Sequence, residues 1–556
     1  MRKFPVSVNK HVRRIGGAVV TTLAALLVFL ALVVPDQITR LPPGNFWGTA
    51  LVRVPIEGLL VAALLLVLPA RARRVTATVF GVLLGALTVL KIIDIAFFAV
   101  LARAFDPVLD WMLFKDGFNF LTDSVGKGGA IGVAAGGVLL AALTLVAMTF
   151  SVRRLARLLP THPRLVRGGV VTLSAAWVTL AVMSFQLVGG IPVASQTATD
   201  LARDTVLAVP QDIEDRKSFA REVQDDDFRD LPQDQLLSAL RGKDVIIGFV
   251  ESYGRDAVEN PAFNQPVADK LRTGQQELAA KGFHGRSGYL TSPTFGGGSW
   301  LAHSTFLSGL WVDNQNRYRN LVATDRLTLT SAFGKAGFRT VGFEPGVTFA
   351  WPEGQFYGYQ QIYDSHTLGY HGPMLSWSTM PDQYVMKKVH DYEFGKAKRP
   401  PLLAEVTLTS SHTPWTPVPT MLPWDKIGDG SVYGPEVAAA ESPQQLFADG
   451  KKVKQAYAGS IAYSIDSLIS YVRDFGDDNL VLVLLGDHQP ASVVVGTNST
   501  KDVPISIVAK DPKVLDRIGS WGWTDGLTPA PDAPLWPMNE FRDKFLTAYS
   551  PQGEPH

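Results

Sequence analysis

The sequence predicts an α-helical membrane domain followed by an extracellular α/β domain with a mainly parallel central sheet. Three observations carry that reading. Apolar runs crowd the first 190 or so of the 556 residues, whereas charged and turn-forming residues dominate the remainder of the chain. Beyond Asp244, short apolar runs alternate with amphipathic stretches, the texture of a sheet covered by helices. Polar, metal-capable residues then terminate three of those runs.

Five N-terminal segments are long and apolar enough to cross a bilayer, which takes roughly 20 helical residues. They lie at about 15–35, 54–70 (or from near Trp47), 76–100, 130–150 and 168–189. The first, "AVVTTLAALLVFLALVV", exceeds the apolar core of a cleaved signal peptide, and Pro35-Asp36 stands where a small-residue cleavage site would be wanted. Arg2, Lys3, Lys10, Arg13 and Arg14 precede it. Arg71, Arg73 and Arg74 separate the second and third segments, and Arg153, Arg154, Arg157, Arg164 and Arg167 separate the fourth and fifth. The other two loops mix signs, with Asp36 and Arg40 in one and Arg103, Asp106, Asp110, Lys115, Asp116 and Asp123 in the other. The bias of basic residues toward the cytoplasm therefore puts the N-terminus inside and everything after the fifth segment outside.

Charged residues also fall inside the spans. Lys91 and Asp94, three apart on one helical face, read as a pair that neutralises itself and fixes packing, with an ion pathway as the alternative. Arg53 and Glu57 read as interfacial. The expected domains are 1–195 in the membrane, a polar linker with some helix over 196–240 containing "EVQDDDFRD", and 241–556 outside. A net charge of +1 gives no reason to expect a nucleic-acid partner. The chain has no cysteine, which excludes disulfides, thiolate metal sites and cysteine nucleophiles, and suits an oxidising exterior.

In the outer domain, "DVIIGFV" (244–250), "FRTVGF" (338–343), "LLAEVTL" (402–408), "NLVLVLLG" (479–486) and "ISIVAK" (505–510) read as buried strands. "PVADKLRTGQQELAAKG" and "KQAYAGSIAYSIDSLISYVRDFG" read as amphipathic helices between them. Chemistry in such sheets sits beyond the carboxyl ends of the strands. There the sequence places Glu251 in "ESYGR", His412 in "TSSHTPW", and Asp487 and His488 in "DHQP".

Carboxylates with an imidazole suit Mn²⁺, Mg²⁺ or Zn²⁺. A metal on Glu251, Asp487 and His488 could also take the hydroxyl of Ser299, favouring an alkoxide that an isolated serine does not reach near neutral pH. Ser299 follows three glycines in "PTFGGGSWLAH". They would permit a sharp turn and leave room for a phosphate facing a helix N-terminus, with His303 one turn on, on the same face.

The pieces "VESYGR", "SPTFGGGS", "TLTSSHTPW" and "LLGDHQP", in this order after five spans, resemble membrane-anchored members of the alkaline phosphatase/sulfatase superfamily. They are most similar to the lipoteichoic acid synthase and phosphoglycerol transferase group. The resemblance implies a multi-pass protein of the bacterial cell membrane with one divalent metal, Mn²⁺ first, held by Glu251, Ser299, Asp487 and His488. It implies Ser299 as nucleophile where the family usually has threonine, and His412 as the histidine that contacts the phosphate and protonates the leaving oxygen. Trp351 falls near the family's tryptophan–arginine pair for glycerol phosphate. Here Pro352 and Glu353 follow it, and Arg317 is the cation that would substitute. His303 is expected to support the site. No formylglycine motif and no second metal-ligand set is found, which disfavours a sulfatase or a two-metal phosphatase. The expected activity is transfer of a phospholipid headgroup, glycerol phosphate or phosphoethanolamine, from an outer-leaflet lipid to a cell-envelope glycan or glycolipid. Hydrolysis and a non-catalytic membrane scaffold are the alternatives. Aromatics over 343–377 are expected either to line an acceptor cleft or to pack as an ordinary loop.

Overall fold

The computed structural model of the chain describes residues 7–34, 53–101, 105–106, 110, 113–161, 163–183, 186–188, 191–375, 378–496 and 499–551. Arg2, Lys3, Pro35, Asp36, Arg40, Trp47, Arg103 and Trp377 lie outside these residues. The chain forms two compact units, one of residues 1–99 and 103–213 and the other of 100–102 and 214–556.

The first unit is built on α1 (Ser7–Val33), α2 (Ile56–Val67), α3 (Ala70–Leu101), α4 (Leu113–Leu158) and α5 (Pro163–Val182). Four of these helices are long and apolar enough to cross a membrane. The second predicted span is corrected: α2 has 12 residues, not the 17 or so expected. Pro55 precedes it, and the chain turns extended at Leu68 before Pro69, so the helix has no room to lengthen. At 1.5 Å per residue it is about 18 Å long, short of the roughly 30 Å hydrocarbon layer.

Short as it is, α2 touches both ends of the bundle. At its start Val54 and Pro55 pair in parallel with Ala194 and Ser195, and the Thr199 N–H donates to Glu57 Oε1 at 3.0 Å. At its end Arg73 donates to the carbonyls of Leu65 and Leu68, and Leu65 packs with Ala77, Val152 and Ala156. Arg154 of α4 donates to the Gly17 carbonyl near the start of α1, while Arg53 donates to the Val33 carbonyl at its end. The five helices therefore alternate in direction. Lys91 donates to the Ala31 carbonyl at 2.7 Å, which ties α3 to α1, and Asp94 accepts from the Phe105 N–H; both side chains are buried.

The second unit opens with the end of α6 (Thr197–Gln224), where Phe219 and Val223 pack on Leu301, Leu310 and Leu321. Its sheet has nine strands: β1 (Asp244–Val250), β2 (His284–Thr291), β3 (Arg339–Glu344), β4 (Gln361–Asp364), β5 (Leu402–Leu408), β6 (Leu480–Gly486), β7 (Asp502–Ala509), β8 (Thr524–Asp525) and β9 (Leu535–Pro537). The order is β8-β2-β7-β6-β1-β5-β3-β4, with β9 also on β2.

The sheet is mixed, which corrects the expectation of a mainly parallel one. β6, β1, β5, β3 and β4 run parallel, but β7 runs against β6 and β2 against β7. The run "ISIVAK" is a strand as predicted, yet the described residues between β6 and β7 hold only the four-residue helix Ser492–Val495, not the full helix that usually carries a parallel crossover. α7 (Gln265–Ala280) and α9 (Gly450–Phe475) pack together over one face, and α8 (Ser299–Ser308) with α10 (Glu540–Tyr549) over the other. Each face buries its own apolar core, giving three layers.

Candidate active site

Glu251, His412 and Asp487 leave β1, β5 and β6, and these three strands are neighbours in one parallel block. The register sets Gly486 beside Val250 and Val250 beside Leu408, so the loops emerge level with one another. Adjacency in the sheet, invisible in the sequence, is what brings three distant motifs together.

Ser299 is the first residue of α8. Gly296, Gly297 and Gly298 before it all have positive φ, and Gly298 at φ 82° is the residue immediately outside the helix. A side chain there would be strained by roughly 1–2 kcal/mol, which is why the turn takes glycine. The Ser299 hydroxyl donates to Glu251 Oε2 at 2.8 Å and lies 3.1 Å from His488 Nε2. His488 Nε2 is in turn 3.3 Å from Glu251 Oε1 and 3.6 Å from Asp487 Oδ2.

The orientation of each group is held from behind. His488 Nδ1 is 2.8 Å from the Gln489 carbonyl, which can only accept, so Nδ1 carries the proton and Nε2 presents its lone pair. Ser252 joins both carboxylates: its N–H donates to Asp487 Oδ1 at 2.7 Å and its hydroxyl to Glu251 Oε1 at 2.9 Å. It does so from a left-handed backbone, φ 58°, rare for a non-glycine residue. The Ser411 hydroxyl holds the Glu251 carbonyl at 2.6 Å. Gly486 must lack a side chain, because a Cβ would sit 1.8 Å from the Tyr253 carbonyl oxygen.

Asp487 Oδ2 is buried with no hydrogen-bond partner, an orphan acceptor aimed into this cluster. Glu251, Asp487 and His488 each offer a ligand atom, all within 4.8 Å of one another. Two carboxylates and an imidazole with an unsatisfied oxygen between them fit a divalent cation of the Mn²⁺, Mg²⁺ or Zn²⁺ kind. Burial pushes Asp487 above the ordinary carboxylate range and the Glu251 charge adds to it. Burial also acts on Glu251, but His488, His412 and the Ser299 hydroxyl outweigh it and hold that carboxyl low.

The other predicted residues divide. Burial lowers His412, opposed by Glu251, and its Nδ1 is 2.6 Å from the Thr413 carbonyl, which can only accept, so Nδ1 carries a proton. His303 stacks on Phe249 at 3.9 Å and sits 3.4 Å from Glu405, and burial pushes it below the ordinary histidine range. Trp351 is half-buried with its ring against Tyr357. Arg317 is corrected: its guanidinium is engaged by Asp215, donates to the Trp311 carbonyl and lies over Phe219. The returning end of α6 supplies that acid, so the cation is spent on packing. No hydrogen bond or ion pair among the described residues links Trp351 or Arg317 to the cluster. In the 343–377 stretch Phe343, in β3, and Tyr357 are core residues, whereas Phe349 is exposed.

Two groups escaped the sequence reading. Glu405, in the middle of β5 and 1% exposed, has neither oxygen hydrogen-bonded, and burial pushes it up to about 8. Glu344 ends β3, accepts from Thr407 at 2.9 Å, and is pushed up to about 8 by burial and by Glu405. A lone acid inside the apolar run "LLAEVTL" was the available signal.

No family model matches this chain, and no curated protein sequence matches it. Among solved structures the chain is similar to the lipoteichoic acid synthase LtaP from Listeria monocytogenes, at 15% identity over 56% of this chain and 74% of that one, TM-score 0.36. It is similar to the Streptococcus pyogenes phosphoglycerol transferase GacH in complex with sn-glycerol-1-phosphate, at 13% identity over 60% and 90%, TM-score 0.35. It is also similar to the C-terminal periplasmic domain of EcEptC from Escherichia coli, at 14% identity over 49% and 73%, TM-score 0.33.

Proposed function

We propose that this chain is a metal-dependent transferase that moves a phospholipid headgroup, through a phosphorylated Ser299, onto a hydroxyl of a cell-envelope glycan or glycolipid. One observation carries the reading: the Ser299 hydroxyl, at a helix N-terminus, lies within 3.1 Å of both Glu251 and His488, beside the orphan oxygen of Asp487. Glu251, Ser299, Asp487 and His488 would hold one divalent ion, Mn²⁺ first, whose chemistry is to favour the serine alkoxide and offset phosphate charge.

In the first step Ser299 Oγ bonds to phosphorus, the bond from phosphorus to the diacylglycerol oxygen breaks, and protonated His412 gives that oxygen its proton. The serine proton leaves to solvent, because Glu251, held below the ordinary carboxylate range, keeps its charge for the ion. In the second step neutral His412 takes the proton of the acceptor hydroxyl, whose oxygen displaces Ser299 as the alkoxide. A histidine pushed below its ordinary range gives up its proton readily when charged and can accept one when neutral. Water in place of the glycan makes the same cycle a hydrolysis. The basic N-terminal residues and the alternation of α1–α5 support a cytoplasmic N-terminus and a site on the outer side of the membrane.

Phosphoethanolamine is a second reading for the headgroup, and one observation favours it. Residues 343–377 contain no lysine or arginine but do contain the exposed Glu353, whose charge suits an ammonium better than a neutral glycerol. The test is full-length protein with Mn²⁺ and fluorescent phosphatidylglycerol or phosphatidylethanolamine, following diacylglycerol release and the intact mass. The expected result is metal-dependent release from one of the two, a headgroup-phosphate adduct on the protein, and loss of both in Ser299→Ala. Silence with both lipids while metal is bound overturns the transferase reading.

A further inference from the structure

Beside the crossing of α3 and α4, the membrane unit contains a cavity of about 540 Å³. The helices meet there backbone to backbone. A Cβ on Gly81 would fall 2.6 Å from the Thr149 Cα, and one on Gly85 would fall 3.0 Å from the Leu145 Cα, the close approach that small residues four apart permit. Along the cavity, Val146, Phe150, Arg153 and Arg157 of α4 recur at helical spacing on one face, with Val82 of α3 opposite. One wall is thus apolar along its length and ends in two guanidinium groups.

Those two arginines differ from their neighbour. Arg154 is committed to α1, donating to Thr21 Oγ1 at 3.0 Å and to the Gly17 carbonyl at 2.6 Å. Neither Arg153 nor Arg157 makes a hydrogen bond, an ion pair or a ring contact with another described residue. A general bias of basic residues toward one side of the membrane accounts for arginines at this end. It does not account for two uncompensated ones capping an apolar groove, when the exposed Arg71 and Arg74 at the same end lie outside it.

We propose that this cavity binds an anionic phospholipid, with its phosphate on Arg153 and Arg157 and an acyl chain along Val146, Phe150 and Val82. Charge complementarity selects the ligand: a zwitterionic lipid brings its own cation, whereas an anionic one leaves its charge for the two guanidiniums, and each basic residue near such a headgroup adds several-fold in affinity. The site is independent of the Ser299 cluster. With the N-terminus cytoplasmic, its lipid comes from the inner leaflet rather than the leaflet of the proposed donor.

The test is native mass spectrometry of the full-length protein in detergent, titrated with dioleoyl phosphatidic acid or dioleoyl phosphatidylcholine, with EDTA present so that the Ser299 cluster holds no metal. Phosphatidic acid has no headgroup to transfer. The expected result is one retained phosphatidic acid, bound about tenfold or more tightly than phosphatidylcholine. Arg153→Gln/Arg157→Gln should abolish that preference. Arg71→Gln/Arg74→Gln, which removes the same charge from the same end, should keep it. Val146→Trp, which fills the groove and keeps both arginines, should also lose the lipid. Equal binding of the two lipids, an equal loss in the Arg71/Arg74 control, or full displacement by soluble glycerol 3-phosphate would each overturn the proposal.

Discussion

Glu405→Gln should make the protein more stable at alkaline pH while leaving it unchanged at mildly acidic pH. Glu405 projects from β5, where it lies opposite Ile247, onto the sheet face that also carries Phe249, and neither of its oxygens has a hydrogen-bond partner. Its carboxyl is pushed from an ordinary 4.5 up to about 8 by burial. The folded chain therefore keeps a proton that the unfolded chain releases, and stability falls as pH rises from about 4.5 to about 8. Those 3.5 pH units at 1.36 kcal/mol each set an upper bound of about 5 kcal/mol on the cost of the ionised form. An unsatisfied buried polar group sets a lower bound of about 1 kcal/mol. Glutamine keeps the size and polarity of the protonated acid and cannot ionise. It also removes one of the causes that raise Glu344, which eases the remaining slope. The assay is thermal unfolding by tryptophan fluorescence at pH 5, 7 and 9. The variant should match the parent at pH 5 and exceed it at pH 9 by about 2 °C per kcal/mol gained. Parallel curves for the two proteins from pH 5 to 9 would refute the claim that this carboxyl is held neutral by the fold.

Three further outcomes are expected. Asp226→Asn removes the buried counter-charge that Arg326 and Arg542 share as both donate to the Ser308 carbonyl at the end of α8, leaving the half-exposed Asp543; chemical denaturation should show a loss of about 3–5 kcal/mol. Gly298→Ala forces a side chain into a left-handed conformation next to Ser299, so it should cost about 1–2 kcal/mol in stability and a larger share of diacylglycerol release, because the strain is relieved by moving the nucleophile. Asp487→Asn should weaken Mn²⁺ binding by about 100-fold or more in titration calorimetry, and in the parent protein affinity should fall as pH drops, since Asp487 is held above the ordinary range and must lose its proton to bind.

The strands that carry the site were legible because each is an apolar run that stops at a polar residue, and Glu251, Asp487 and His488 do stand at those stops. What the sequence could not supply was the neighbour relation of β6, β1 and β5, since strand order is fixed by packing between segments more than 150 residues apart. β2 was missed for a different reason. "HGRSGYLT" is polar and glycine-rich, yet Ser287 is buried because its hydroxyl meets Ser506 and the Gly526 carbonyl inside the sheet. Its polarity is satisfied by partners that no local pattern announces. Arg317 misled in the same way: a cation near an anion site is informative only once its own partner is known, and that partner, Asp215, lies about 100 residues earlier. The short α2 was overrun because hydropathy reads through Pro55 and Leu68-Pro69, where the backbone does not.

The doubly tied Ser252 has a consequence for how this protein would acquire its ion. Because one residue braces both carboxylates, and because two apolar cores on either side of the sheet hold the surrounding strands, the coordination geometry is completed by folding alone. Metallation would then be a separate, reversible event rather than part of the folding reaction, unlike in small domains that are unstructured until an ion arrives. Which cation occupies the cluster is on this view decided by supply in the surrounding medium and by exchange during the protein's working life. A chelator should silence such a molecule without destroying it, and fresh ion should restore it.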